Sequence, residues 1–342
     1  MRIAITGATG NLGTSCLGAM AADERIEKIV AIARRGTSLI LPKVTFVSGD
    51  VSKDDPTRWF EGVDAVVHLA WEMESARDRQ RSWKNNVEGS ARVFSAAARA
   101  GVGAIVHASS AGVYSPGPRD KLVEESWPRD GVPTSLYSLE KAAVERELDS
   151  IQTRFPRLRV VRLRSALVFK REAASAIQRL FLGRYFPHWL LKPGRIPPIP
   201  EKLMLQCVHS LDVGEAFRRA VVRNVRGAFN LATDPVLDSR ALASALGTRT
   251  ANISPKVLRS LAAAAFRLHL APSEPGWIDL AFGSPLLCSR RAREELLWRP
   301  RFDSVATLLE LLKGIREGSG SETPPLTPRS GSRSELEAHH AA

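Results

Sequence analysis

A short strand, a glycine-rich turn and a helix follow one another without a gap at the start of this 342-residue chain. Arg2-Ile-Ala-Ile-Thr6 is apolar and β-branched after its first residue and is bounded by glycine, so it reads as a buried strand. Gly7-Ala-Thr9-Gly10-Asn11-Leu12-Gly13 comes next, and Thr14 to Ala22 is a run of small and apolar residues that reads as a helix. This order sets backbone N–H groups and a helix N-terminus where a pyrophosphate can be held. Gly7 permits the tight turn, Gly10 lets phosphates approach the backbone, and Gly13 lets the helix pack close to the strand. The spacing is G-x-x-G-x-x-G rather than the commoner G-x-G-x-x-G.

Strands and helices then alternate. Lys28–Ala33, Val44–Val47, Asp64–Ala70, Ala104–Ser110 and Arg159–Leu163 read as further strands, and 77–100 as a long helix carrying Asn86. That alternation gives an α/β chain with a doubly wound parallel sheet. Arg34 and Arg35 end the second strand, about twenty residues past the glycines, where an acid would hold a ribose 2′-hydroxyl and arginine suits a 2′-phosphate. The expected dinucleotide is therefore NADP, with NAD the alternative. Asp50, after the third strand, either accepts from an adenine amino group or caps the following turn. His68 and His107 lie in apolar strands and read as packed residues.

Thr134-Ser-Leu-Tyr137-Ser-Leu-Glu-Lys141 places a phenol and an ammonium four residues apart, on one face of a helix. A nearby positive charge favours the phenolate and lowers the phenol's ordinary value near ~10, which suits proton transfer close to neutral pH.

With these motifs in order, the chain resembles the extended short-chain dehydrogenase/reductase family, the NAD(P)-dependent epimerase/dehydratase group. The resemblance rests on Thr6–Gly13, Asp50-Val51, His68-Leu69-Ala70, Asn86-Val-Glu-Gly89, Ser109–Tyr114, Tyr137–Lys141, and in the second half on Val208–Val213 and Gly227–Ala232. It implies a Rossmann domain over 1–165 and a smaller α/β substrate lobe over 166–316, with chain returning to the Rossmann core at about 200–235. The tail, 317–342, is rich in Gly, Ser and Pro and is expected to be disordered. Gly7, Thr9, Gly10, Asn11, Leu12, Gly13, Arg34, Arg35, Asp50, Val51, Leu69, Ala70, Tyr137 and Lys141 are the implied cofactor contacts. Tyr137 is implied to be the general acid/base and Lys141 its partner, also bonding the nicotinamide ribose. Ser110 is implied to hold the substrate oxygen, with Ser109 as the alternative, and Asn86 to support the proton relay. Ala111-Gly112 stand where dehydratases of the group carry Asp-Glu, which argues against dehydration. Glu140 stands where a small polar residue is commoner and, about 100° around the helix, need not touch the pair. Arg164 either meets a substrate phosphate or packs structurally. His209 and Asp212 read as organisers of the junction between lobes.

Three scattered cysteines give neither a disulfide framework nor metal spacing, and no metal is expected. The first strand begins at residue 2, and no apolar run is long enough to span a membrane, so a cytoplasmic enzyme is expected. Residues 1–150 are close to neutral, so the net charge of +13 belongs to residues 151–342. That excess suits an anionic small-molecule substrate such as a nucleotide-linked sugar or a coenzyme A ester. No nucleic-acid motif accompanies it; a membrane surface is the weaker reading, and a homodimer stays open. The run 176–192 mixes large apolar and basic residues and reads as a substrate-lobe helix, with a membrane-surface patch or an apolar substrate as alternatives. Val257–Leu268 reads as an alanine-rich core helix. The sequence thus points to an epimerase or oxidoreductase acting at a secondary alcohol. A membrane-surface sterol or lipid dehydrogenase and a non-catalytic NADP-sensing regulator are the competing readings.

Overall fold

The structure is a computed structural model that describes residues 1–73, 77–183, 187–191 and 194–328. One sheet contains β1 (Arg2–Thr6), β2 (Lys28–Ala33), β3 (Val44–Ser48), β4 (Ala65–His68), β5 (Ala104–Ser110), β7 (Arg159–Ser165) and β11 (Gly227–Leu231), in the order β11-β7-β5-β4-β1-β2-β3. All its pairings are parallel. The order runs outward from β1 in one direction and from β4 in the other, which opens a crevice at their carboxyl ends. Three short parallel pairs lie outside it: β6 (Leu122–Val123) with β13 (Leu286–Leu287), β8 (Leu167–Phe169) with β10 (Cys207–His209), and β9 (Ile199–Pro200) with β12 (Thr250–Ala251).

Successive strand residues face opposite sides of the sheet, and this divides the core in two. On one side Ile3, Ile5, Val67 and Val106 meet Leu17 and Met20 of α1 (Asn11–Ala21) and Val213 and Phe217 of α6 (Ser210–Val222). On the other, Ala4, Val66 and Ile105 meet Val93 and Phe94 of α3 (Gly89–Arg99) and Val144 and Leu148 of α4 (Leu136–Arg154). α1 and α6 cross almost backbone on backbone. A Cβ on Gly214 would lie 2.7 Å from the Ser15 carbonyl oxygen, and the Ser15 and Ser210 hydroxyls pair at 2.9 Å. The later chain thereby returns to the glycine-rich turn.

The helix expected over 77–100 is broken. α2 (Arg79–Trp83) passes into a π-turn over Lys84–Glu88 before α3 starts. Such turns are frequent at functional sites, and this one carries Asn86.

The smaller lobe contains α5 (Ala174–Phe181), α7 (Ser239–Leu246), α8 (Pro255–Arg267), α9 (Gly276–Gly283) and α11 (Ser304–Glu317), with α10 (Arg290–Glu295) beside β11. His209 stacks on Phe302 at 3.9 Å. Asp212 accepts from the Arg301 and Phe302 amides at 3.0 and 3.1 Å. Both residues thus sit at the junction.

Two expectations fail here. α8 is not core: none of its residues is buried, and Leu261 is 63% exposed. It lies against α9 at the periphery, and its alanines offer little area to bury. The expected disordered tail does not begin at 317. Residues 319–328 fold back, with Thr323 and Leu326 buried, the Ser321 amide donating to the Leu326 carbonyl at 2.7 Å, and Arg179 donating to the Pro325 and Thr327 carbonyls at 3.0 Å each. One buried leucine and these bonds offset a composition that reads as disorder. The tail beyond 328, and Arg184, Tyr185, Phe186 and Lys192 of the mixed run, lie outside the described residues. Among the described residues, no helix is long and apolar enough to cross a membrane, and no group of side chains could hold a metal. Cys16, Cys207 and Cys288 are free thiols.

Gly214→Ala forces a methyl group into the α1–α6 crossing and should cost about 1–3 kcal/mol. Thermal unfolding measures it; a midpoint equal to wild type would show that the crossing can open without penalty.

Candidate active site

The glycine-rich turn is shaped by close backbone approach. Gly7 has φ +72°, and a Cβ there would lie 2.7 Å from the Ala70 nitrogen. A Cβ at Gly13 would strike the Ala8 carbonyl. Gly10 occupies the N-cap of α1 with no side chain to cap it, and the first turn holds no acid. The first N–H groups of α1 therefore face the crevice as anion donors, with the positive end of the helix dipole behind them. Asn11 Oδ1 is buried beside them and has no hydrogen bond among the described residues.

One cavity of about 850 Å³ runs from this turn into the smaller lobe. Gly7, Thr9, Gly10, Asn11, Leu12, Gly13, Arg34, Arg35, Asp50, Val51, Leu69 and Ala70 line its first part, and Asn86, Ser110, Tyr137 and Lys141 its middle. The turn fits a dinucleotide pyrophosphate through close backbone packing at Gly7 and Gly13 and the open N–H groups at the start of α1. Asp50 lines the cavity and accepts from the Ser52 amide and hydroxyl at 2.9 and 2.7 Å, which closes the turn after β3.

Arg34 and Arg35 are not two unopposed cations. Glu72, from the loop after β4, reaches Arg34 at 3.3 Å and Arg81 at 2.9 Å. An acid thus stands beside the arginine expected to meet a 2′-phosphate, contributed by a segment far away in sequence.

At the end of β5 the two serines diverge. Ser109 is buried and donates to Glu145 at 2.5 Å. Ser110 accepts from the Gly112 amide at 3.0 Å and lies beside the Tyr137 phenol. Gly112 packs directly under that ring: a Cβ on it would lie 3.0 Å from Tyr137 Cε1, so the larger acid of a dehydratase would collide there. Tyr137 stands between Trp277 at 4.9 Å and Trp71 at 5.9 Å. Lys141 Nζ donates to the Ala108 carbonyl at 2.9 Å and rests 3.5 Å over the Trp71 ring. Asn86 is buried; its amide donates to the Glu72 carbonyl at 2.9 Å and accepts from the Glu72 amide at 2.7 Å, which fixes the loop that carries Trp71.

Lys141 does not lower the Tyr137 phenol in this state. Burial pushes the phenol up to about 12, against the influence of neighbouring Ser110. Burial likewise pushes the Lys141 ammonium down to about 7, against Glu140 and Glu145. The ammonium spends its charge on a carbonyl and an indole, and aromatic rings enclose the phenol. His68 and His107 are packed, as expected; burial drives His68 down to about 3 and His107 well below its ordinary value, so both are neutral.

Arg164 is not a substrate contact. It is 3% exposed, donates to Glu145 at 2.8 Å and to the Tyr114 hydroxyl at 2.9 Å, and is absent from the cavity wall. Burial pushes the Glu145 carboxyl up, but Arg164 outweighs it and holds the group below its usual range. Glu140 makes no hydrogen bond or salt bridge to Tyr137 or Lys141; it is buried and accepts from Asn86 at 2.9 Å. The sequence reading also missed Trp71, Trp277, Arg119, Arg179 and Pro324–Pro328, all in the cavity wall. Trp71 directly follows the β4 motif and could have been noticed; the others come from distant segments with no local signature.

Residues 3–192 match the NAD dependent epimerase/dehydratase family. The chain belongs to this family. A UDP-glucose 4-epimerase of Neisseria meningitidis serogroup C is 30% identical over 177 residues, covering 48% of this chain and 52% of that protein. An L-arabinose 1-dehydrogenase (NAD(P)(+)) of Haloferax volcanii is 33% identical over 113 residues, covering 33% and 42%. The chain thus spans about half the length of the curated relatives it matches. Among solved structures it is similar to a Bacillus cereus UDP-glucuronic acid 4-epimerase in complex with UDP-glucuronic acid and NAD, with TM-score 0.67, 16% identity, and coverage of 93% of this chain and 99% of that one. That likeness shows the fold, the parallel sheet flanked by helices.

Arg164→Met strips buried Glu145 of its bidentate partner and leaves it only Arg129 and Arg162 at 3.7 and 4.0 Å, which should cost up to about 3–5 kcal/mol. Denaturant unfolding tests this; unchanged stability with weakened substrate binding would restore Arg164 to the substrate site.

Proposed function

We propose that this chain is an NAD(P)-dependent hydride-transfer enzyme that epimerises a secondary alcohol of a nucleotide-linked sugar. One observation carries the reading: the glycine-rich turn and the Ser110–Tyr137–Lys141 cluster line a single cavity. A bound dinucleotide supplies the hydride acceptor and donor. Ser110 holds the substrate hydroxyl beside the Tyr137 phenol. Tyr137 takes the hydroxyl proton as the carbon–hydrogen bond breaks and returns it when the keto intermediate is reduced on its other face. Lys141, while charged, stabilises the phenolate. Trp71 and Trp277 wall the phenol from water, and a pyranose ring could stack on either. Asn86 holds the loop that carries Trp71. Arg119 and Arg179, in the substrate part of the cavity, would meet a diphosphate.

The NADP preference expected from Arg34-Arg35 finds no support. Glu72 beside Arg34, and NAD in the similar Bacillus cereus structure, favour NAD. The dehydrogenase relative keeps a second reading in view, with the same residues and a cofactor that exchanges at each turnover.

Tyr137→Phe separates these catalytic readings from a cofactor-sensing regulator. Turnover on UDP-sugars should fall about 10²–10⁴-fold, while fluorescence titration shows unchanged affinity, tighter for NADH than for NADPH. Activity insensitive to the substitution would refute the assignment of Tyr137.

A further inference from the structure

Glu140 is a buried carboxylate that the proposed chemistry leaves without a role. It is 1% exposed and directly precedes Lys141. Its Oε2 accepts from Asn86 Nδ2 at 2.9 Å, Ser82 is its other polar neighbour, and Oε1 has no hydrogen bond to any described group. All of these partners are neutral.

Lys141 is 5% exposed, and its direct partners, the Ala108 carbonyl and the Trp71 ring, are also neutral. A buried charge persists only where another charge or strong hydrogen bonds compensate it. On its own helix, Lys141 feels Glu140 and Glu145. Glu145 is bound to Arg164 and has Arg129 at 3.7 Å and Arg162 at 4.0 Å, so its charge is answered. From β4 and β5, His68 and His107 face Lys141 as neutral rings. Glu72, in the loop after β4, is held by Arg34 and Arg81. Tyr137 is a neutral phenol. Glu274 acts on Glu140 as a like charge. Among the described residues, neither Glu140 nor Lys141 forms a salt bridge with any other charged side chain, and each acts on the other as an opposite charge.

We propose that Glu140 is a positioning residue, whose carboxylate keeps Lys141 an ammonium and holds the Asn86 amide against α4. The role it gives Lys141 rests on the catalytic reading above, but the charge coupling does not.

Burial already pushes Lys141 down to about 7, with Glu140 opposing it. Removing the Glu140 charge leaves burial less opposed, so the Lys141 midpoint falls further and the side chain is neutral at pH 7. The full chain, with ¹³C at lysine Cε, is titrated by NMR; the Lys141 signal is assigned by its loss in Lys141→Met. Glu140→Gln keeps an acceptor for Asn86 and removes only the charge. The Lys141 midpoint should fall by about one pH unit or more, a tenfold change in its protonation equilibrium, and an unchanged midpoint overturns the proposal. Should the variant not fold, wild type alone decides: the Lys141 signal must respond at the midpoint of ¹³Cδ-labelled Glu140, and independent titrations overturn the coupling. No substrate is needed, so failure here is distinct from failure of the proposed function. In turnover, Glu140→Gln should move the alkaline limb of the kcat profile to lower pH, because charged Lys141 is lost sooner. A merely structural role would lower stability and leave that limb in place.

Discussion

The backbone of Gly7 lies against the backbone leaving β4, so close that a single added carbon would sit 2.7 Å from the Ala70 nitrogen. The remaining geometry of the site follows from that contact. It turns the chain out of β1 so that the open end of α1 faces the crevice. It also fixes where the loop after β4 departs, and that loop brings Trp71 over Lys141 and Glu72 against Asn86. The glycine-rich turn and the Tyr137–Lys141 pair, more than a hundred residues apart, are thus braced against one another through Leu69–Glu72. Movement at Gly7 would disturb both together.

The middle of the cavity is kept poor in charge. Tyr137 holds its proton, Lys141 sits near the point of losing its own, and both histidines behind them are neutral. In such surroundings an added charge is felt strongly, because little water screens it. A cationic nicotinamide beside Tyr137 would favour the phenolate far more than it could in water. The aromatic walls therefore separate two states: a phenol that stays protonated in the empty cavity, and one that can give up its proton when cofactor and substrate are in place.

The sheet and the central pair were legible because their signals are local. β1, β2 and β5 match the expected residues, since short apolar, β-branched runs bounded by glycine or charged residues have few other ways to fold. Tyr137 and Lys141 meet because one helix carries both. What escaped notice depends on partners distant in sequence. Arg164 reads equally as ligand or packing until Glu145 and Tyr114 come together around it. Arg34 looks suited to a phosphate until Glu72 arrives from another loop. The π-turn at Lys84–Glu88 is invisible in a pattern of helical periodicity. Residues 319–328 look disordered by composition, yet one buried leucine and the Arg179 guanidinium hold them. α8 errs the other way, with an alanine-rich pattern that suggests core and a position that leaves it outside.

The central claim is that hydrogen leaves the substrate carbon as a hydride and never passes to water. A UDP-sugar deuterated at the carbon bearing the reacting hydroxyl, turned over in ordinary water, tests this by mass spectrometry. The deuterium should be recovered in the epimerised sugar, or in reduced dinucleotide if the cofactor exchanges. Its loss to solvent would mean removal of a carbon-bound proton, and would contradict the mechanism assigned to this site.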